Sequence, residues 1–147
     1  MLTRIPSGRI LHFSDLIKEA LCNAAPPFVE MTESKQGKIL LALQEDRMTA
    51  WLITFNQETY AIALTKIIQD DCMEERDLLL YCAYAVRKLT EEMWDDCFMR
   101  MAKYALAMNC TAMTAYTVVE RIKEMAVRMG GNISTVYLNI PLTGVKS

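Results

Sequence analysis

The sequence predicts a mixed α/β (α+β) fold: one domain over residues 1–142, its central sheet mixed but mostly antiparallel and flanked by about four helices. Residues 143–147 are expected to form a flexible C-terminal tail. Three observations lead there. Two segments with apolar residues at helical spacing lie before Thr49. Three strand-like apolar runs follow, up to Val86. Beyond Thr90 the periodicity switches repeatedly between about 3.6 and 2, reading helix, strand, helix, strand.

The start of the chain offers at most a short first strand. "FSDLIKEALCNAA" places Leu16, Ile17, Ala20 and Leu21 on one helical face, with Ser14 as the expected N-cap, and "PPF" stops it. "TESKQGKILLALQED" reads as a second helix capped by Thr32, with Ile39, Leu40 and Leu43 inward. Gly37 weakens it, and a strand starting at Ile39 competes. "TAWLITF" and "YAIALTKII" alternate and are joined by Asn56-Gln57-Glu58, the signature of an antiparallel hairpin.

"DLLLYCAYAV" is apolar almost throughout, so residues 77–86 are expected to form a central strand covered on both faces. Residues 90–109 form the clearest helix: Thr90 caps it, and Met93, Cys97, Met101, Tyr104 and Met108 share a stripe. "TAMTAYTVV" then reads as a strand, "ERIKEMAVRM" as a helix and "STVYLNI" as a last strand.

Composition excludes several classes. The chain has 16 basic and 18 acidic residues, a formal charge of −2 and no basic run, so there is no strong nucleic-acid footprint. No stretch approaches the roughly 18 apolar residues of a membrane span, and the N-terminus lacks a signal-peptide pattern. The five cysteines make no C-x-x-C pair and read as reduced thiols in a cytoplasmic protein. The lone His12 is far from any cysteine pair, so no metal site is expected. Glu58, Glu74 and Glu75 read as solvated turn charges. The methionines, 11 in all, read as core filler, with an adaptable binding surface as the other use. Tyr81 and Tyr84, three apart on the 77–86 strand, are expected on opposite faces. One of them is a candidate to line a cleft.

The element order, the hairpin "WLI…ALTKII", the "CTAM" passage and the glycine-ended "VERIKEMAVRMGG" together resemble the GNAT acetyltransferases. More narrowly, they resemble small GNAT-like proteins encoded by tailed phages. The resemblance spans nearly the whole chain. It implies a helix of the form N-x-x-A-x-x-x-Y-x-x-x-G-F, which puts the glycine at Gly130. The general-acid tyrosine of that helix falls on Ala126, which has no proton to give, and its opening asparagine falls on Val119. It also implies a Q/R-x-x-G-x-G/A loop that cradles the CoA pyrophosphate. Here that loop reads "VRKLTEEMWDD", with Arg87 in the place of the first basic residue, no glycine, and Glu91 and Glu92 in the first helical turn.

Those departures put a non-enzymatic role first. The chain is then a GNAT-fold protein with no cofactor expected, acting through a protein partner or as a homo-oligomer. The resemblance points to a phage virion or morphogenesis component, in the host cytoplasm or the virion. The alternative is a divergent acetyl-CoA-dependent N-acetyltransferase. It would hold the pyrophosphate with Arg87, Lys88, Leu89 and Thr90, and use Tyr81, Tyr84 or water as the acid. An unrelated α/β binding module is the third reading.

Overall fold

The computed structural model describes residues 1–72 and 74–144. Met1–Ala115 form one compact unit, and the chain from Tyr116 onward forms a second. Each is taken by itself.

In the first unit five strands form one sheet in the order β1-β2-β3-β4-β5. They are β1 (Leu2–Arg4), β2 (Thr49–Phe55), β3 (Glu58–Asp70), β4 (Glu75–Ala85) and β5 (Ala112–Ala115). The first four pair antiparallel and β5 joins β4 in parallel. The sheet is thus mixed and mostly antiparallel, as expected. β4 lies between β3 and β5, while β3 is the middle strand. A continuous apolar run requires cover on both faces, not a place at the exact centre of the sheet.

The hairpin turn is tighter than the sequence implied. Phe55 pairs with Glu58, so Asn56 and Gln57 alone make the turn, with φ of 50° and 65°. Two successive left-handed residues match the twist of the flanking strands. Glu58, expected in the connection, is the first residue of β3.

Helices α1 (Ser14–Ala24) and α2 (Glu33–Gln44) cover one face. Ile17, Ala20 and Leu21 from α1 and Leu40 and Leu43 from α2 bury there with Ile62, Leu64 and Cys82 from the sheet. Helix wins over the competing strand at Ile39 because those leucines reach the core only at helical spacing. Thr32 caps α2 as expected, its hydroxyl accepting from the Lys35 N–H. Ser14 is not a cap: a 3-10 helix over Ser7–Phe13 runs straight into α1, which leaves Phe13 at the N-cap position.

Helix α3 (Glu91–Ala107) covers the other face with Cys97, Met101 and Ala105, against Trp51, Ala63 and Leu78. Thr90 caps it, accepting from the Met93 N–H at 3.2 Å. Met108, expected on the buried stripe, is the C-cap residue and lies 36% exposed.

In the second unit, α4 (Glu120–Arg128) follows the predicted helix. Gly130 sits at φ 84°, and Gly131 donates to the Ala126 carbonyl at 2.7 Å, closing the helix end. A Cβ on Gly131 would meet that oxygen at 2.8 Å, so the second glycine is required as well. The last expected strand, "STVYLNI", does not form. Residues 132–141 carry no regular structure, and Val136, Leu138 and Ile140 are exposed. The alternating pattern gives strand propensity, but a strand forms only where a ladder partner supplies hydrogen bonds. A short 3-10 turn follows at Leu142–Gly144. The rest of the expected tail, 145–147, lies outside the described residues.

Candidate functional site

The candidate site is the second half of β4 and the loop leading into α3. β4 pairs with β5 only from Asp77 to Leu80. From Tyr81 to Ala85, among the described residues, no strand lies on that side. The register on the other side shows which backbone groups this leaves. The Val86 N–H donates to the Tyr60 carbonyl at 2.8 Å, and the ladder pairs Tyr84 with Ile62 and Cys82 with Leu64. Bonded and non-bonded pairs alternate along an antiparallel ladder. The N–H and C=O groups of Ala83 and Ala85 therefore point to the outer edge, beside methyl side chains that leave room next to them.

A bulge re-aims the tyrosines. Leu64 pairs with Cys82 and the next residue, Thr65, pairs with Leu80, so Tyr81 is an extra residue on β4. The expected opposite facing of Tyr81 and Tyr84 is therefore corrected. One inserted residue breaks the period of two, and both rings pack against the α1–α2 core. The Tyr84 hydroxyl donates to Glu19 Oε1 on α1 at 2.8 Å. That bond raises the Tyr84 pKa, with burial and the Glu19 charge adding to it. Burial raises Tyr81, with a smaller effect from Cys82. Burial also pushes the Cys82 thiol up to about 12, and its Sγ donates to the Ala20 carbonyl at 3.4 Å. All three groups hold their protons at neutral pH.

The loop places the four predicted cofactor contacts side by side but gives them different work. The Arg87 N–H, like that of Val86, is spent on the Tyr60 carbonyl, at 3.1 Å. The Arg87 guanidinium pairs with Glu58 at 3.1 Å and lies 5.8 Å from the centre of the Tyr60 ring. Lys88 is exposed. Leu89 is 8% exposed and belongs to the core under α3. Thr90 spends its hydroxyl on the helix cap. Glu91 and Glu92 occupy the first turn of α3, where carboxylates suit the helix dipole and oppose a second anion.

Sequence reasoning missed Glu19 as the Tyr84 partner and Glu58 as the Arg87 partner. In sequence, Glu58 reads as a solvated turn charge. Its place directly after a two-residue turn, opposite the end of the next strand, was the available signal. No signal existed for Glu19, 65 positions from Tyr84. A cavity of about 90 Å³ lined by Asp46, Thr65 and Tyr104, among others, lies away from residues 81–90. Among the described residues no group of three or more His, Cys, Asp or Glu side chains is placed to hold a metal ion. No helix among them is long and apolar enough to cross a membrane.

No family model matches the sequence, and no curated protein matches it. Solved structures match in shape. A predicted acetyltransferase with acetyl-CoA from Clostridium acetobutylicum gives a TM-score of 0.71 at 11% identity, over 97% of this chain and 96% of that one. A ribosomal-protein-alanine N-acetyltransferase from Brucella melitensis biovar Abortus 2308 gives 0.67 at 8%, over 96% and 99%. An aminoglycoside N-acetyltransferase in complex with CoA gives 0.69 at 11%, over 96% and 93%. At these identities the likeness establishes architecture: the chain has the GNAT acetyltransferase fold.

Proposed function

We propose that the chain binds acetyl-CoA along the outer edge of β4 and acts as a divergent N-acetyltransferase. The observation that carries this reading is the open edge from Tyr81 to Ala85, bounded by the bulge and followed at once by a basic loop and a helix start. An exposed strand edge takes up an extended amide chain as it would another strand. The peptide groups of Ala83 and Ala85 suit the two amides of a pantetheine arm. The anion end fits less well. Arg87 and Lys88 supply positive charge, but the Val86 and Arg87 N–H groups are spent and Glu91 and Glu92 stand close by in sequence.

When bound, acetyl-CoA supplies a thioester activated toward amines. Tyr84 holds a proton at its phenolic oxygen across the neutral range, and Glu19 fixes where that hydroxyl points. Turned from Glu19, that hydroxyl takes the acid's role that Ala126 has no proton to fill. The Glu19 carboxylate, exposed on α1, attracts a cationic amine. The non-enzymatic role, as a virion or morphogenesis component, is the second reading. It is supported by the glycine-free loop and by Ala126.

Calorimetric titration with acetyl-CoA tests the proposal. The expected Kd is on the order of 100 µM, about −5.5 kcal/mol, weak because the anion end is poorly served. Arg87→Ala should weaken it further. No binding at millimolar acetyl-CoA overturns the enzymatic reading in favour of the interaction role.

A further inference from the structure

Arg87 pairs with Glu58 across the loop, and both residues are held by their backbones. Glu58 opens β3 immediately after the left-handed pair Asn56 and Gln57, so its backbone is set by the turn. Arg87 is anchored through its N–H to the Tyr60 carbonyl, two residues along the same strand. The Tyr60 ring, under the guanidinium, is itself met edge-on by Phe55 at 6.1 Å. Both backbones are fixed, so the pair needs only side-chain ordering to form, which is the usual cost that leaves exposed ion pairs weak. The guanidinium and the carboxylate each remain about half exposed, at 55% and 53%. A ligand anion can therefore reach Arg87 without any backbone movement.

We propose that Glu58 is a latch on the anion end of the site: it neutralises Arg87 in the free protein, and a ligand binds there only if its phosphates displace the carboxylate. This rests on the acetyl-CoA reading and adds a selection rule to it. A carboxylate beside a guanidinium is displaced by a more highly charged, bidentate acceptor such as a pyrophosphate, and poorly by a singly charged or neutral group. The site thereby favours thioester carriers that bear phosphates over bare pantetheine thioesters. The Tyr60 ring keeps the released guanidinium stacked, so Arg87 turns toward the ligand as an ordered side chain. Glu91 and Glu92 make the latch consequential. With two carboxylates in the first turn of α3 and Lys88 as the other loop cation, releasing Arg87 brings the loop from net negative to neutral toward an anion.

The test is calorimetry with two probes, CoA and pantetheine, on the wild type and on Glu58→Gln, Arg87→Ala and the double variant. Glu58→Gln keeps the shape and removes the charge of an exposed residue, so folding is not at stake. It should tighten CoA by up to about fivefold, the upper end of exposed ion-pair strengths, and leave pantetheine unchanged. In the Arg87→Ala background the gain should vanish. If Arg87→Ala weakens CoA while Glu58→Gln does nothing, the latch is wrong and the acetyl-CoA reading stands. Equal tightening of CoA and pantetheine also overturns the latch, since the effect then bypasses the phosphates. If neither probe binds the wild type or Glu58→Gln, both the latch and the reading beneath it fall.

Discussion

Tyr84 and Tyr81 differ in chemistry although they share a face. Tyr81 is raised in pKa mainly by burial, which disfavours its charged form. Tyr84 is raised mainly by donating to a carboxylate, so its hydroxyl is held in a defined orientation toward Glu19 on α1. Tyr84 has a partner that fixes its oxygen, and it delivers its proton to a leaving group once the hydroxyl turns from Glu19. Tyr84→Phe is therefore expected to lower the rate of acetyl transfer about 10²-fold or more with little change in KM for acetyl-CoA. Tyr81→Phe should leave the rate within about threefold. The measurement is thiol release from acetyl-CoA, followed with a thiol-reactive dye against a panel of primary amines. Equal loss in both variants would mean that the two rings act through packing and not through proton transfer.

Helix α3 joins the site to the core. Thr90 caps its start, its first turn carries Glu91 and Glu92, and its inner stripe carries Cys97, Met101 and Ala105. Met101 is 6% exposed within the cluster that includes Trp51 and Leu78, whereas Trp94 is only partly buried there. Met101→Ala should cost about 2–5 kcal/mol, as deep truncations do, and Trp94→Ala should fall toward the lower end of that range. Urea melts of the two variants check this. A loss under about 0.5 kcal/mol for Met101→Ala would place the buried face of α3 elsewhere. The hairpin does the matching work on the other side of the loop, since the Asn56–Gln57 turn is what brings Glu58 alongside Arg87.

Across the molecule, the buried acids bias stability in one direction. Cys82 is raised from 9.0 to about 12, and Cys97 and Tyr81 are raised as well, each chiefly by burial. A raised folded pKa means that the folded protein keeps a proton which the unfolded chain releases. The contribution is fully present below the unfolded value and is lost as pH climbs toward the folded one, here between about 9 and about 12 for Cys82. Urea melts at about pH 8 and about pH 10.5 should differ, the lower stability at the higher pH, with Cys82 contributing about 2 kcal/mol of the difference. Cys82→Ala should shrink that difference. An unchanged difference would show that Cys82 is not the group that titrates.

The sequence alone determined what depends on neighbours within a few positions. Thr32 and Thr90 mark helix starts because a cap is a bond to the residue three places on. The 77–86 run reads as a covered strand because its side chains are apolar on both faces, and the order of elements was enough to point to the GNAT fold. Tertiary structure decided whatever depends on a distant partner. The bulge that turned Tyr81 and Tyr84 to one face exists only in the pairing of β4 with β3. The segment "STVYLNI" has the pattern of a strand but lacks the ladder that makes one. At the site, Arg87 was legible as a basic loop residue, but its capture by Glu58 was not. Two charges that are 29 positions apart become neighbours only after a hairpin and a ladder have set both backbones, and no local pattern records the result.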